Sequence, residues 1–280
     1  MKKRAPAKIN LFLKVLGVRP DGYHEVSTIM QAVDLYDQVE VSAATLTNVT
    51  FKSSFGEPTR PDLVERAIEA MRARLKTSSK FEARVIKAIP MGSGLGGGSS
   101  DAASAIAAVN ELTGGRLTGP ELAEVAIGIG ADVAFFLEGG TVMARGRGDV
   151  MEPLLCPQTL WWVIAMSDDG LSTADVYRRY DEIEVASTLA TPEKLVSALA
   201  NGDAAAIGPC LHNDLEVAAF DLRPELEDLK SDLVAFGAVG AVMSGSGAAI
   251  AALSSGPEAA ESLAARLEGR AGFVRVARSS

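Results

Sequence analysis

Cysteine and histidine are scarce in this sequence, with two of each in 280 residues. Cys156 and Cys210 cannot supply the disulfide framework of a small secreted scaffold, so two thiols in a reducing compartment are expected. Two histidines and two cysteines also argue against a His/Cys metal centre, and none is expected. Basic charge is in deficit: 27 Lys and Arg against 36 Asp and Glu leave a net charge of −9. A nucleic-acid binder would carry a basic face, so no nucleic-acid partner is expected. Small anions stay open, provided that local basic residues such as Lys2, Lys3, Arg4, Lys8, Lys14 and Arg19 serve them. No apolar run reaches the roughly 20 residues of a membrane span, because glycines and serines interrupt 238–253. Asn10 and Lys14 likewise break any signal-peptide core. A cytoplasmic protein without a membrane partner is the expectation. Catalysis, if present, must rest on Asp, Glu, Lys, Ser or Tyr.

Glycine, by contrast, is abundant and concentrated. Pro90, Met91, Gly92, Ser93, Gly94, Leu95, Gly96, Gly97, Gly98, Ser99, Ser100 and Asp101 run consecutively. The β-branched stretch before them reads as a strand over 81–89, and the alanine-rich 102–112 reads as a helix. Glycines between a strand and a helix let the backbone lie against a ligand, with loop and first-turn N–H groups pointing at one anion. Gly92, Gly94 and Gly97 formally satisfy the dinucleotide fingerprint, but no acidic residue stands at the strand-end position about 20 residues on. The lysine that a Walker-type loop requires is missing. A flexible linker and a different triphosphate cradle remain.

From Ile9 the apolar residues read as a buried strand that places Lys8 and Asn10 on one face. The pair is either an edge device or a holder of phosphate and substrate hydroxyl. Pro20-Asp21-Gly22 is a turn that delivers Tyr23 and His24 to its tip. There they either pack locally or stack on and hydrogen-bond to a base. Two strands are expected over 26–41, broken at 34–37, with a further short strand at 49–52. Helices are expected over 63–75 and, behind the Thr118/Glu121 capping box, to about Gly128. Asp132 is either the N-cap of a short helix or a carboxylate on a stiff apolar support. Residues 153–157 mark a boundary between domains at 1–155 and 156–280. The second half alternates strands and helices around a second glycine loop at 244–247, an α+β arrangement.

Three motifs together resemble the GHMP kinase superfamily: 5–11 at the start, 90–101 in the middle and 244–248 near the end. The resemblance spans essentially the whole chain. It implies two domains, the first like ribosomal protein S5 domain 2 and the second ferredoxin-like, with the site in the cleft between them. Within the superfamily, 19–24, 130–136 and 213–216 are similar to members that phosphorylate the 2-hydroxyl of 4-diphosphocytidyl-2-C-methyl-D-erythritol, on the methylerythritol phosphate route to isoprenoids. By position, Asp132 is then the base and Lys8 its partner. Residues 90–100 hold the triphosphate of ATP, which carries Mg2+. Tyr23, His24 and Tyr177 frame the cytosine, and Asn10 and Thr173 touch the substrate. A monomer or homodimer is expected. Other superfamily kinases, acting on homoserine or mevalonate, and a non-catalytic nucleotide or sugar sensor are the alternatives. Ala134 departs from the proline frequent at that place, and the segment 45–61 is short.

Overall fold

The computed structural model describes residues 1–56, 62–167, 169–183 and 189–280. The first half runs β1 (Lys2–Val18), β2 (His24–Ala44), β3 (Asn48–Lys52), α1 (Leu63–Leu75), β4 (Lys80–Ile86), α2 (Gly97–Leu112), α3 (Gly119–Ile129) and α4 (Ala131–Glu138). There follow β5 (Thr141–Gly146), β6 (Val150–Pro153), β7 (Trp161–Met166), α5 (Thr173–Glu182), α6 (Glu193–Asn201) and α7 (Ala204–Ile207). The chain ends with β8 (His212–Asn213), α8 (Glu216–Leu222), α9 (Glu225–Ala235), β9 (Gly240–Met243), β10 (Ile250–Ser254), α10 (Pro257–Ala265) and β11 (Phe273–Arg278). It divides into two compact units, one of residues 1–7, 35–91 and 96–139, the other of 8–34, 92–95 and 140–280.

In the first unit β2 pairs antiparallel with β4, from Gln38↔Ile86 to Ala44↔Lys80, and β3 pairs parallel with β4. Phe81, Ala83 and Val85 alternate inward while Glu82 and Arg84 face water, the period of a half-buried strand. α1 buries Val64, Ala67, Ile68, Met71 and Leu75, a helical stripe. Asp62 caps it by accepting from the Glu65 N–H at 2.9 Å; Pro61 lies outside the described residues. α2 is buried on nearly all sides, which its alanines allow because they add little bulk.

The second unit carries an antiparallel sheet in the order β11-β7-β10-β9. Val163, Ala165, Ile250 and Ala252 from this sheet pack with Leu229, Leu233, Leu263 and Val176 from the helices in one core. The same unit holds the pairing of β5 with β6 and with the first part of β2, and a parallel contact of β1 with β8. The Trp162 indole is fully buried and donates to the Gln31 amide oxygen at 3.0 Å, so its polar atom is satisfied in the core.

Three expectations need correction. β2 is one strand, unbroken at 34–37. The acids that read as a turn are satisfied elsewhere: Asp34 accepts from the Arg278 backbone and guanidinium, and buried Asp37 from the Ala88 and Ile89 N–H groups. β4 stops at Ile86 rather than Ile89: the Lys87 N–H still bonds the Lys52 carbonyl, but the Ala88 and Ile89 N–H groups turn to the Asp37 carboxylate. α2 starts at Gly97 rather than Ala102, so the last glycines and both serines of the loop form its first turns.

Candidate active site

Lys8 is nearly fully buried in the second unit, an expensive place for an ammonium unless it is paired. Strand alternation puts Asn10 beside it, and the Lys8 Nζ donates to Asn10 Oδ1 and, at 2.7 Å, to the Gly94 carbonyl. Asn10 is itself held: its amide nitrogen donates to Thr28 Oγ1 at 2.8 Å, and Thr28 donates to the Phe12 carbonyl. Gly94 adopts φ +76, and a Cβ there would stand 1.9 Å from the Ser244 carbonyl oxygen. The close approach of the two glycine loops therefore requires glycine at this position. The Ser244 hydroxyl donates to the Gly94 carbonyl at 3.0 Å, and Ala248 and Ala249 N–H donate to the Gly92 and Ser93 carbonyls. Asn213 ties the second loop down by donating to the Met243 and Gly245 carbonyls, both at 2.7 Å.

The turn before β2 forms as its residues dictate, with Gly22 at φ +83 and the Arg19 N–H bonded to the Tyr23 carbonyl at 2.7 Å. Tyr23 is exposed, and the Arg147 guanidinium lies 5.4 Å from its ring centre. The His24 ring lies 4.6 Å from that of Tyr177 on α5, and His24 Nε2 is 2.8 Å from Asp181 Oδ1. Ser172 caps α5, and at the start of that helix the Thr173 and Ser246 hydroxyls meet at 2.8 Å. One unit thus holds Lys8, Asn10, Tyr23, His24, Thr173 and Tyr177, with residues 92–95 of the glycine loop.

The remaining loop residues and Asp132 belong to the first unit. Gly96 precedes α2 at φ +71, and no acidic residue occupies the first turn. An anion at this helix end meets free N–H groups and the positive pole of the dipole. The Ser100 hydroxyl is buried without a hydrogen-bond partner among the described residues. Asp132 is the second residue of α4, whose cap is Gly130, so it sits in the first turn and is not the N-cap. Buried Val133, Ala134 and Phe135 follow it. A carboxylate is favoured at this end of a helix.

Behind α2 lies a group of charges that the sequence reading missed. Lys87 Nζ donates to Asp37 Oδ2 and, at 2.7 Å, to Asp101 Oδ2, with all three side chains almost wholly buried. Burial pulls Lys87 down, but Asp101 and Asp37 outweigh it and hold its ammonium above the ordinary value. One ammonium cannot neutralise two carboxylates. Burial pushes Asp101 up to about 7, with Asp37 adding to the rise and Lys87 opposing it. Between the ordinary 3.8 and about 7 the folded chain therefore holds more protons than the unfolded one. The stabilising contribution of this group is complete below about pH 4 and is lost as pH rises to about 7. Across that window the melting temperature of the wild type should fall relative to that of Asp101→Asn, which has no proton to release. Parallel melting profiles of the two proteins would rule out the protonated carboxyl. The available signal was Lys87 itself, a lone cation inside the apolar run before the loop. Asp181, Thr28 and Ser246 carried no signal, because their partners are distant in sequence.

Among the described residues no three His, Cys, Asp or Glu side chains are grouped to hold a metal, and no helix is long and apolar enough to cross a membrane.

Residues 62–140 match the GHMP kinases N terminal domain, and residues 195–272 match the GHMP kinases C terminal family. A 4-diphosphocytidyl-2-C-methyl-D-erythritol kinase of Pelotomaculum thermopropionicum is 41% identical over 264 residues, covering 94% of this chain and 92% of its own. The protein of that name from Gloeobacter violaceus is 40% identical over 277 residues, covering 98% and 92%. A crystal structure of 4-(cytidine 5'-diphospho)-2C-methyl-D-erythritol kinase superposes over the whole of both chains with a TM-score of 0.83 and 33% identity. A homoserine kinase from Cytophaga hutchinsonii, 24% identical with a TM-score of 0.73 over 98% of this chain and 94% of its own, shares the fold. With matches to both halves and relatives of such identity along nearly its full length, the chain belongs to the GHMP kinases and, among them, to the 4-diphosphocytidyl-2-C-methyl-D-erythritol kinase family.

Proposed function

We infer that this chain transfers the γ-phosphoryl group of ATP to the 2-hydroxyl of 4-diphosphocytidyl-2-C-methyl-D-erythritol, a step of the methylerythritol phosphate route to isoprenoids. The observation that carries the choice of substrate is the His24–Tyr177 ring pair, in one unit with Tyr23 and with buried Lys8. Aromatic faces beside an imidazole suit a base, and neither homoserine nor mevalonate has one. His24, Tyr23 and Tyr177 take the cytosine, and Asn10 and Thr173 orient the rest of the substrate.

Phosphoryl transfer needs positioning and charge stabilisation more than covalent help. Residues 90–100 and the N-terminus of α2 receive the triphosphate. Asp132 accepts the proton of the acceptor hydroxyl, and Lys8 steadies the negative charge that builds as phosphorus–oxygen bonds exchange. Mg2+ comes with the nucleotide and screens its phosphates. Such an ion would keep several waters and take few protein oxygens, and the buried Ser100 hydroxyl, without a hydrogen-bond partner among the described residues, stands at the loop to offer one. We place the boundary between the N- and C-terminal kinase domains at 155/156, in the interval between the two matched ranges.

Phosphorus NMR of the purified protein with ATP and Mg2+ tests the reading. A new phosphomonoester should appear with the cytidyl substrate and not with homoserine or mevalonate. Product only with the latter two would keep the kinase and overturn the roles of Tyr23, His24 and Tyr177.

A further inference from the structure

Lys87, Asp37 and Asp101 bury three ionisable groups where apolar side chains of similar volume would often serve stability as well or better. Directional bonds are what the charges add. Asp37 on β2 offers one oxygen to Lys87 and the other to two backbone N–H groups, Ala88 at 2.5 Å and Ile89 at 2.8 Å. These are the residues that lead into the glycine loop. Lys87 also reaches Asp101, one turn beyond Gly97, where the loop has become helix. Gly97 is packed against this same cluster: a Cβ on it would stand 2.9 Å from Ile89 Cγ2 and 3.1 Å from Lys87 Nζ. The two flanks of the loop within the first unit, 87–89 before it and Gly97–Asp101 after it, are thereby fastened to one carboxylate on one strand.

We propose that Asp37 is a positioning residue for ATP binding, acting through Lys87 and Asp101 to hold both flanks of the glycine loop and the first turns of α2 in register for the triphosphate. This rests on reading the loop as the ATP site. Asp37 is fully buried and acts through its neighbours. It sets where the entering backbone ends and where the helix N–H groups begin, and a small displacement of several N–H donors weakens all their bonds to one anion together.

The test is calorimetric titration of Asp37→Ala and Asp37→Asn with a non-hydrolysable ATP analogue and, separately, with the cytidyl acceptor. Asp37→Ala should weaken nucleotide binding about tenfold, which is about 1.4 kcal/mol, and leave acceptor binding within about twofold. Asp37→Asn keeps an oxygen for Ala88 and Ile89 but loses the charge facing Lys87, so about threefold weaker nucleotide binding is expected. A folded Asp37→Ala with wild-type nucleotide affinity overturns the proposal, as does parallel weakening of both ligands, the mark of general loosening. Should Asp37→Ala not fold, Asp37→Asn decides: wild-type nucleotide affinity sinks the idea, and selective weakening upholds it. Failure of the wild-type protein to bind the nucleotide would count against the ATP reading of the loop instead.

Discussion

Asp132→Asn should fold, bind ATP with unchanged affinity and lose turnover by about 10²–10⁴-fold, the usual contribution of a positioned general base. Asparagine matches the shape of aspartate and keeps an oxygen in the first turn of α4, so the buried Val133, Ala134 and Phe135 behind it have no reason to move. What disappears is the group proposed to take a proton from the acceptor hydroxyl. The helix also loses a carboxylate near its positive end, a change of about 0.3–1 kcal/mol. Stability should thus fall slightly while kcat collapses. Steady-state kinetics with saturating ATP and acceptor, beside a thermal melt, separate the two effects. Near-normal turnover would remove Asp132 from the base role and leave positioning by Lys8 and the loop as the main source of rate.

Gly94→Ala should be the most damaging single-methyl change in the second unit. Alanine must either adopt φ +76, which costs about 1–3 kcal/mol for a non-glycine residue, or rotate the loop. Keeping φ +76 does not remove the clash, because the new methyl would lie 1.9 Å from the Ser244 carbonyl oxygen, 2.9 Å from its carbon and 3.1 Å from the Gly247 nitrogen. These are backbone atoms, and Asn213 holds their loop on two sides, so it has little room to yield. The Gly94 carbonyl accepts from both Lys8 and Ser244, and its displacement would take one acceptor from a buried ammonium. A loss of several kcal/mol follows, with a drop of about 10 °C or more in Tm at roughly 2–4 °C per kcal/mol. Activity at low temperature should vanish as well. A Gly94→Ala protein with wild-type Tm and activity would show that the two loops can separate at no cost.

The GHMP resemblance was legible because its motifs are local: a strand bearing lysine and asparagine two residues apart, a glycine loop ahead of a helix, and a second small-residue loop. Local physics also sufficed for α1, with its apolar stripe and Asp62 cap, for the Thr118/Glu121 capping box and for the Pro20-Asp21-Gly22 turn. Each of these depends on neighbours within a few residues. Where the reading failed, the deciding partner was far along the chain. Asp34 and Asp37 looked like a turn because nothing nearby could satisfy them; their partners are Arg278 and residues 87–89. The second half of the loop looked irregular because glycine has poor helix propensity, yet α2 begins there, packed by its alanines into the first unit. Lys87 went unremarked because its partners, Asp37 and Asp101, lie far from it in sequence and meet it only in the folded chain. The sequence by itself determined the family, the place of the glycine loop between a strand and a helix, and helices such as α1 and α3, since composition and short-range spacing encode them. Only the tertiary structure decided which charges are buried together, where β2 and α2 run, and why Gly94 admits no side chain. Those outcomes depend on the desolvation and close packing of groups that meet only once the chain has folded.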